Sequence, residues 1–242
     1  MKRIVHALCA CWMLATASAG AASIQAVTEE TSYTYYQNGE LSGPLTYLTQ
    51  ALLGRTGLGY HITVFPWARA YDLALAEPNV LIFPILRTPE REHRFKWVGP
   101  CVEIRSVLYR RADRPDLTLA RWQDARAFVV GVVRDDFREA LLRGQGFTRL
   151  VVSASAQENF RKLVNGQVDL IPLAEADAER FSNLSRPGEH PLAPAAPLDQ
   201  VTAQAWYAYS LATPDAVVEQ TREALQGLQR DGGMQRLLDL GH

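Results

Sequence analysis

The side chains able to recognise or transform a small molecule sit at a few places along the chain. Arg91 follows Thr88-Pro89-Glu90. Threonine is a good N-cap and proline suits the first helical position, so the spacing predicts a short helix opening there. A cation in a first helical turn opposes the helix dipole, so helix formation does not account for Arg91. Its guanidinium offers a planar fork that matches a carboxylate bidentately. Tyr33, flanked by Tyr35 and Tyr36, and Trp67, close to Arg69, are aromatic candidates. Such faces cover the apolar part of a ligand or meet an ammonium group. Asp135, Asp136 and Glu175 each stand at the opening of an expected helix. Capping is the simplest role for the Asp135-Asp136 pair. A desolvated carboxylate, however, is raised toward neutral pH and can then act as an acid or base.

No catalytic signature accompanies these residues. The sequence lacks Gly-x-Ser-x-Gly, His-Glu-x-x-His, Cys-x-x-Cys and a phosphate loop. His61, His93, His190 and His242 do not have zinc-ligand spacing. The reading is therefore of a non-enzymatic chain with no metal and no cofactor. The 25 basic residues are interspersed with 26 acids, and all but Lys2, Lys96 and Lys162 are arginine. No basic stripe suggests nucleic acid. With 242 residues, 48% hydrophobic and a net charge of −1, the chain can bury one large or two small cores, which excludes disorder.

The elements that must position these groups follow from hydropathy. Ile24 to Val27 and His61 to Phe65 read as strands, and Val80 to Phe83 as a buried parallel strand. Leu45, Leu48, Leu52 and Leu53 predict an amphipathic helix, and a second is expected from Trp67 to Ala76. A second α/β set follows, with strands at 106–110, 128–133, 150–152 and 168–171. Its helices are expected at 137–143, 156–165 and 175–181. Four prolines between Arg186 and Pro197 predict a loop. Ala205 to Leu211 reads as a strand, and Thr213-Pro214-Asp215 opens a final helix pair. Asp169 is expected to close the turn after Gly166.

At the N-terminus, Met1-Lys2-Arg3, an apolar run to Ala15 and a small-residue stretch to Ala22 form the pattern of a cleaved secretory signal peptide. Its removal takes the charge from −1 to −3 and leaves Cys101 as the sole cysteine, so no intrachain disulfide is expected.

Arg87-Thr88-Pro89-Glu90-Arg91 with Phe95-Lys96-Trp97-Val98-Gly99-Pro100 resembles a stretch of the bacterial extracellular solute-binding proteins of family 3. Gly39-Glu40-Leu41-Ser42-Gly43, Asn165-Gly166-Gln167-Val168-Asp169 and Asp231-Gly232-Gly233 add to the resemblance, which spans the chain beyond residue 22. It implies an α/β, two-lobed periplasmic-binding-protein-like fold of type II, with a ligand cleft between lobes joined by two crossing strands. Residues 1–22 would be the signal peptide, 23–104 plus 202–242 lobe 1, and 105–201 lobe 2. The resemblance also implies a soluble, monomeric periplasmic receptor for a small polar solute, an amino acid or related carboxylate. It would serve an ABC permease or, alternatively, a membrane sensor. Arg91 would grip the ligand carboxylate, with Tyr33 and Trp67 as walls.

The sequence also departs from that family. Asp135-Asp136 stand where it has Gly-Thr. Ala174, next to Glu175, stands where it has an ammonium-binding Asp, and Phe83 and Pro84 replace small hydroxyl residues. Either Asp135 and Glu175 take the ammonium, or the ligand is not an ordinary amino acid. Some members of this fold are dehydratases of cyclic carboxylates. For that reading, Asp135, Asp136 or Glu175 would be the acid.

Overall fold

The computed structural model describes residues 23–185, 191–198 and 203–240. The expected signal peptide lies outside these. One five-stranded sheet has the order β4-β1-β5-β12-β6, made of β1 (Ile24–Thr28), β4 (Tyr60–Val64), β5 (Val80–Leu86), β6 (Phe95–Ile104) and β12 (Ala203–Ser210). Strands β1, β4 and β5 are parallel, whereas β12 runs antiparallel to both β5 and β6. The continuous apolar run of β5 is what a strand covered on both faces requires. Helix α1 (Pro44–Thr56) buries Leu45, Leu48, Leu52 and Leu53, the expected stripe. Helix α2 (Trp67–Ala76) buries Trp67, Ala70, Tyr71 and Ala74.

Two tyrosines hold the helices to this sheet. The buried Tyr207 and Tyr209 hydroxyls each lie 3.0 Å from a threonine hydroxyl, Thr49 of α1 and Thr221 of α6 (Asp215–Arg230), respectively. Burying these rings is favourable because the one polar atom of each is paired.

A two-stranded ribbon, β2 (Tyr35–Gln37) with β3 (Glu40–Ser42), leads into α1 through Gly43. Gly43 has φ of 110°, and a Cβ there would fall 2.5 Å from the Tyr33 carbonyl oxygen. Gly43→Ala therefore meets both a disfavoured backbone region and a backbone clash. We expect a loss of about 2 kcal/mol in urea unfolding.

The second sheet has the order β11-β7-β10-β8-β9, from β7 (Ser106–Arg111), β8 (Val130–Val133), β9 (Leu150–Ser153), β10 (Leu170–Ala174) and β11 (Leu192–Pro197). Helices α3 (Phe137–Gly144), α4 (Ala156–Val164) and α5 (Glu175–Asn183) belong to it, and α7 (Gly233–Asp239) ends the described chain beside α1. Asp169, expected to close the turn after Gly166, instead accepts the Val129 N–H on its Oδ2 at 2.9 Å and fixes the entry to β8. Asp169→Ala should lower stability by about 1 kcal/mol, read by the urea midpoint.

Strand β6 passes through Arg105 into β7, and Leu198 N–H donates to Ser106 O while Ala203 pairs with Ile104. Leu198 and Ala203, on either side of the return to the first sheet, therefore both lie beside residues 104–106.

Two further expectations are corrected. The segment after Thr88-Pro89 is not a helix. It forms two successive turns, Arg91 N–H to Thr88 O and Arg94 N–H to Arg91 O, before β6 begins at Phe95. Six residues without an apolar stripe are too few to nucleate a helix. The proline-rich stretch expected as a loop contains β11, which tolerates Pro194 and Pro197 because it is an edge strand.

Candidate functional site

The carboxyl ends of β1, β5, β8 and β10 face one another between the lobes. This is where open α/β sheets place their ligands. Glu29 directly follows β1, Arg91 lies in the turns after β5, Asp135 and Asp136 follow β8, and Asp177 is in the first turn of α5 after β10. Glu29, Tyr33, Trp67, Arg91, Asp136 and Asp177 are among the residues enclosing a cavity of about 40 Å³. That is room for roughly three waters. On the other side of Arg91, an open groove of about 920 Å³ runs between the 86–94 segment and α3. Leu86, Arg91, Asp136 and Phe137 border both spaces, forming the wall between them.

Arg91 is only 7% exposed. Its guanidinium carbon lies 5.7 Å from the Trp67 ring centroid and 5.0 Å from that of Tyr71. It donates to Leu86 O at 3.4 Å and, across the cleft, to Asp135 O at 3.1 Å. Trp67 Nε1 donates to the same Asp135 oxygen at 2.9 Å. One carbonyl of lobe 2 thus receives two donors from lobe 1, one of them charged, in a partly buried setting. Such bonds are stronger than neutral ones in water.

Asp135 can present that carbonyl because it adopts φ of 60°, and its N–H donates to Glu139 Oε2 at 2.8 Å. The Asp135 side chain is exposed, so this residue enters the site through its backbone. The cap of α3 is Asp136, whose Oδ1 accepts the Arg138 N–H at 2.8 Å, with the Arg138 guanidinium 3.5 Å from Oδ2.

Glu175 is exposed and does not border the cavity. The α5 acid that does is Asp177, whose Oδ1 accepts the Ser32 N–H of lobe 1 at 2.7 Å. Burial of Glu29, reinforced by the Asp136 and Asp177 charges and opposed by Arg138, pushes its carboxyl up to about 8. Burial and the Asp177 charge push Tyr33 up to about 12. Cys101 is fully buried with Sγ against Ala205 O, and burial pushes its thiol up, which removes it as a nucleophile. Among the described residues, no three acid, histidine or cysteine side chains converge as metal ligands, and no helix is long and apolar enough to cross a membrane.

A scan against family models finds no match, and a search of curated proteins by sequence finds none either. Solved structures do match. A histidine kinase sensor domain with similarity to periplasmic binding proteins aligns at TM-score 0.79 and 20% identity, over 89% of this chain and 93% of that one. An amino acid ABC transporter substrate-binding protein from Streptococcus pneumoniae, bound to L-arginine, aligns at 0.78 and 17%, over 90% and 94%. An ancestral amino acid-binding protein described as a precursor of cyclohexadienyl dehydratase aligns at 0.74 and 15%, over 90% and 94%. The fold is that of the periplasmic binding proteins.

Within the periplasmic-binding-protein fold, Arg91, Tyr33 and Trp67 reach the cleft, as does the Asp135 backbone. Asp136, one of the three acids the sequence offered, is the one of them whose side chain borders the cavity. The residues not found from sequence are Glu29, Arg138 and Asp177. Glu29 carried a usable signal, since it is the first charged residue after the first strand. Asp177 carried a weaker one, because the second residue after a helix's first is as well placed to look inward as the first itself.

Proposed function

We propose that this chain is a solute-binding receptor, with 23–104 plus 202–242 as one lobe and 105–201 as the other. It would be secreted through its 1–22 leader and be non-catalytic, with a ligand exchanged as the lobes part and close. The observation that carries this reading is the pair of donors from Arg91 and Trp67 to Asp135 O. These bonds span the cleft, can break without disturbing either sheet, and border a cavity built from both lobes. A ligand that binds the closed form more tightly shifts the population toward it. The receptor would serve an ABC importer, as the amino acid ABC transporter substrate-binding neighbour does, or a membrane sensor, as the similarity to a histidine kinase sensor domain suggests.

The test is small-angle scattering and thermal shift on ligand-stripped protein lacking residues 1–22, with a panel of amino acids, amines and organic acids. A ligand in hundredfold excess over Kd should stabilise by about 2.7 kcal/mol and change the radius of gyration. Absence of any response across the panel, with a folded protein, would count against the receptor.

One observation favours a second, enzymatic reading. Glu29 shares the cavity with Arg91 and keeps its proton at neutral pH, as a general acid must. A dehydratase assay on cyclic carboxylates, with Glu29→Gln as control, distinguishes the two.

A further inference from the structure

Two features of the cleft have the physics of an anion site, the N-terminus of α3 and the Arg91 guanidinium. The protein's own oxygens already engage both. The Asp136 carboxylate caps α3 and meets Arg138, and the Asp135 N–H is taken by Glu139. Arg91 is shared between the Leu86 and Asp135 carbonyls. A solute carboxylate entering here would have to displace a carboxylate that is covalently part of the chain.

The rest of the lining has the opposite preference. Glu29 accepts no side-chain hydrogen bond among the described residues, although it borders the cavity. Asp177 faces it from α5 with one oxygen committed to Ser32. Tyr33 lines the same space and takes part in no aromatic or cation pair among the described residues. The acids are spread around the cavity and do not converge as hard-cation ligands would. That spacing suits a charge carried on an organic skeleton.

Resting on the receptor reading, we propose that the cleft selects a small organic ammonium, held by Glu29 and Asp177 against the Tyr33 ring, and that Asp136 is the specificity-determining residue that turns carboxylates away.

The charged and titratable groups facing Glu29 on the cavity side are Asp136 and Arg138 on α3, Asp177 on α5, and Tyr33 and Arg91 in lobe 1. Across a second space of about 240 Å³ they are Arg180 of α5 and Glu30, which pair with each other. At pH 7 Glu29 keeps its proton, and a bound cation replaces that proton. Affinity for a cation should therefore rise by up to about tenfold per pH unit from 6 to 8 and level off above.

The experiment is calorimetry with putrescine, a diamine without a carboxylate, and glutarate, a dicarboxylate without an amine. Wild type should bind putrescine with that pH profile and leave glutarate unbound. Glu29→Gln should weaken putrescine at least tenfold at pH 8 and flatten the profile. Asp136→Ser, which retains a capping oxygen but removes the charge, should gain glutarate binding. Circular dichroism melts of both variants establish that they fold.

Glutarate binding by wild type at or above the strength of putrescine would overturn the cation assignment and leave the receptor intact. A response to some other solute in the scattering panel, with both probes silent, would do the same. Putrescine bound with no pH dependence, or Asp136→Ser still refusing glutarate, would remove Glu29 or Asp136, respectively, from the assigned role. No response to any solute would remove the receptor reading itself.

Discussion

Glu29→Gln is expected to make the protein more stable than wild type at pH 9 and equal to it near pH 4. In the folded chain the Glu29 carboxyl is raised from 4.5 to about 8. Between those values the folded state holds a proton that the unfolded state has released. Stability must therefore fall as pH rises through the window, by about 1.4 kcal/mol per pH unit at most. Below it both states are protonated, and above it both are ionised. Relaxation of the cleft trims the total, so the variant should exceed wild type by about 3 kcal/mol at pH 9. Urea unfolding from pH 4 to 9 measures this directly. A difference that does not change with pH would mean that Glu29 is not held protonated by its neighbours.

Arg91→Ala should loosen the two lobes and destabilise the chain together. It removes both carbonyl hydrogen bonds and the cation that lies against the Trp67 and Tyr71 rings. Bonds from a charged donor are worth about 1.5–3 kcal/mol, and a desolvated cation–π contact adds up to about 2. A loss of about 3 kcal/mol overall leaves room for water to reach the freed carbonyls. In scattering the ligand-free variant should be more expanded than wild type. Arg91→Lys keeps the charge but not the planar fork and should fall between the two. An unchanged radius of gyration in Arg91→Ala would show that the crossing strands, not this contact, hold the lobes together.

Where the sequence was legible, and where it was not, follows from how each element is covered. Buried strands such as β5 and β8 announce themselves as apolar runs because both faces are packed. The helices α1 and α6 announce themselves by a stripe. Four strands escaped the pattern reading: β2 and β3 are only three residues each, too short to show alternation, and β6 and β11 are sheet edges. An edge tolerates Lys96, Pro100, Pro194 and Pro197, the residues that hide a strand from pattern reading. The Thr-Pro start misled at Thr88 and held at Thr213 because only the second is followed by apolar residues at helical spacing.

In the site, the residues that the sequence singled out and the structure places at the cleft are visible in local sequence. Arg91, Tyr33 and Trp67 lie in short segments whose chemistry is visible in themselves. Glu29 and Asp177 become partners only when residues 145 or more positions apart are brought together, as in the Ser32–Asp177 bond. Asp135 contributes a carbonyl, which every residue has, so its side chain gave no indication of the role.

The place of β12 bears on how this protein comes into being. It lies between β5 and β6, so one of the inner strands of that sheet comes from residues 203–210 of a 242-residue chain. A growing polypeptide that stops before Ala203 lacks the strand that joins β5 to β6, and Tyr207 and Tyr209 are missing from beneath α1 and α6. Residues 105–198 contain every strand of their own sheet and can close early. The other sheet must wait for nearly the whole length to be synthesised, because the pairing of β12 with β5 is the most non-local of the strand pairings described. Until then, the segment that carries Arg91, Trp67 and Glu29 has no finished scaffold to set.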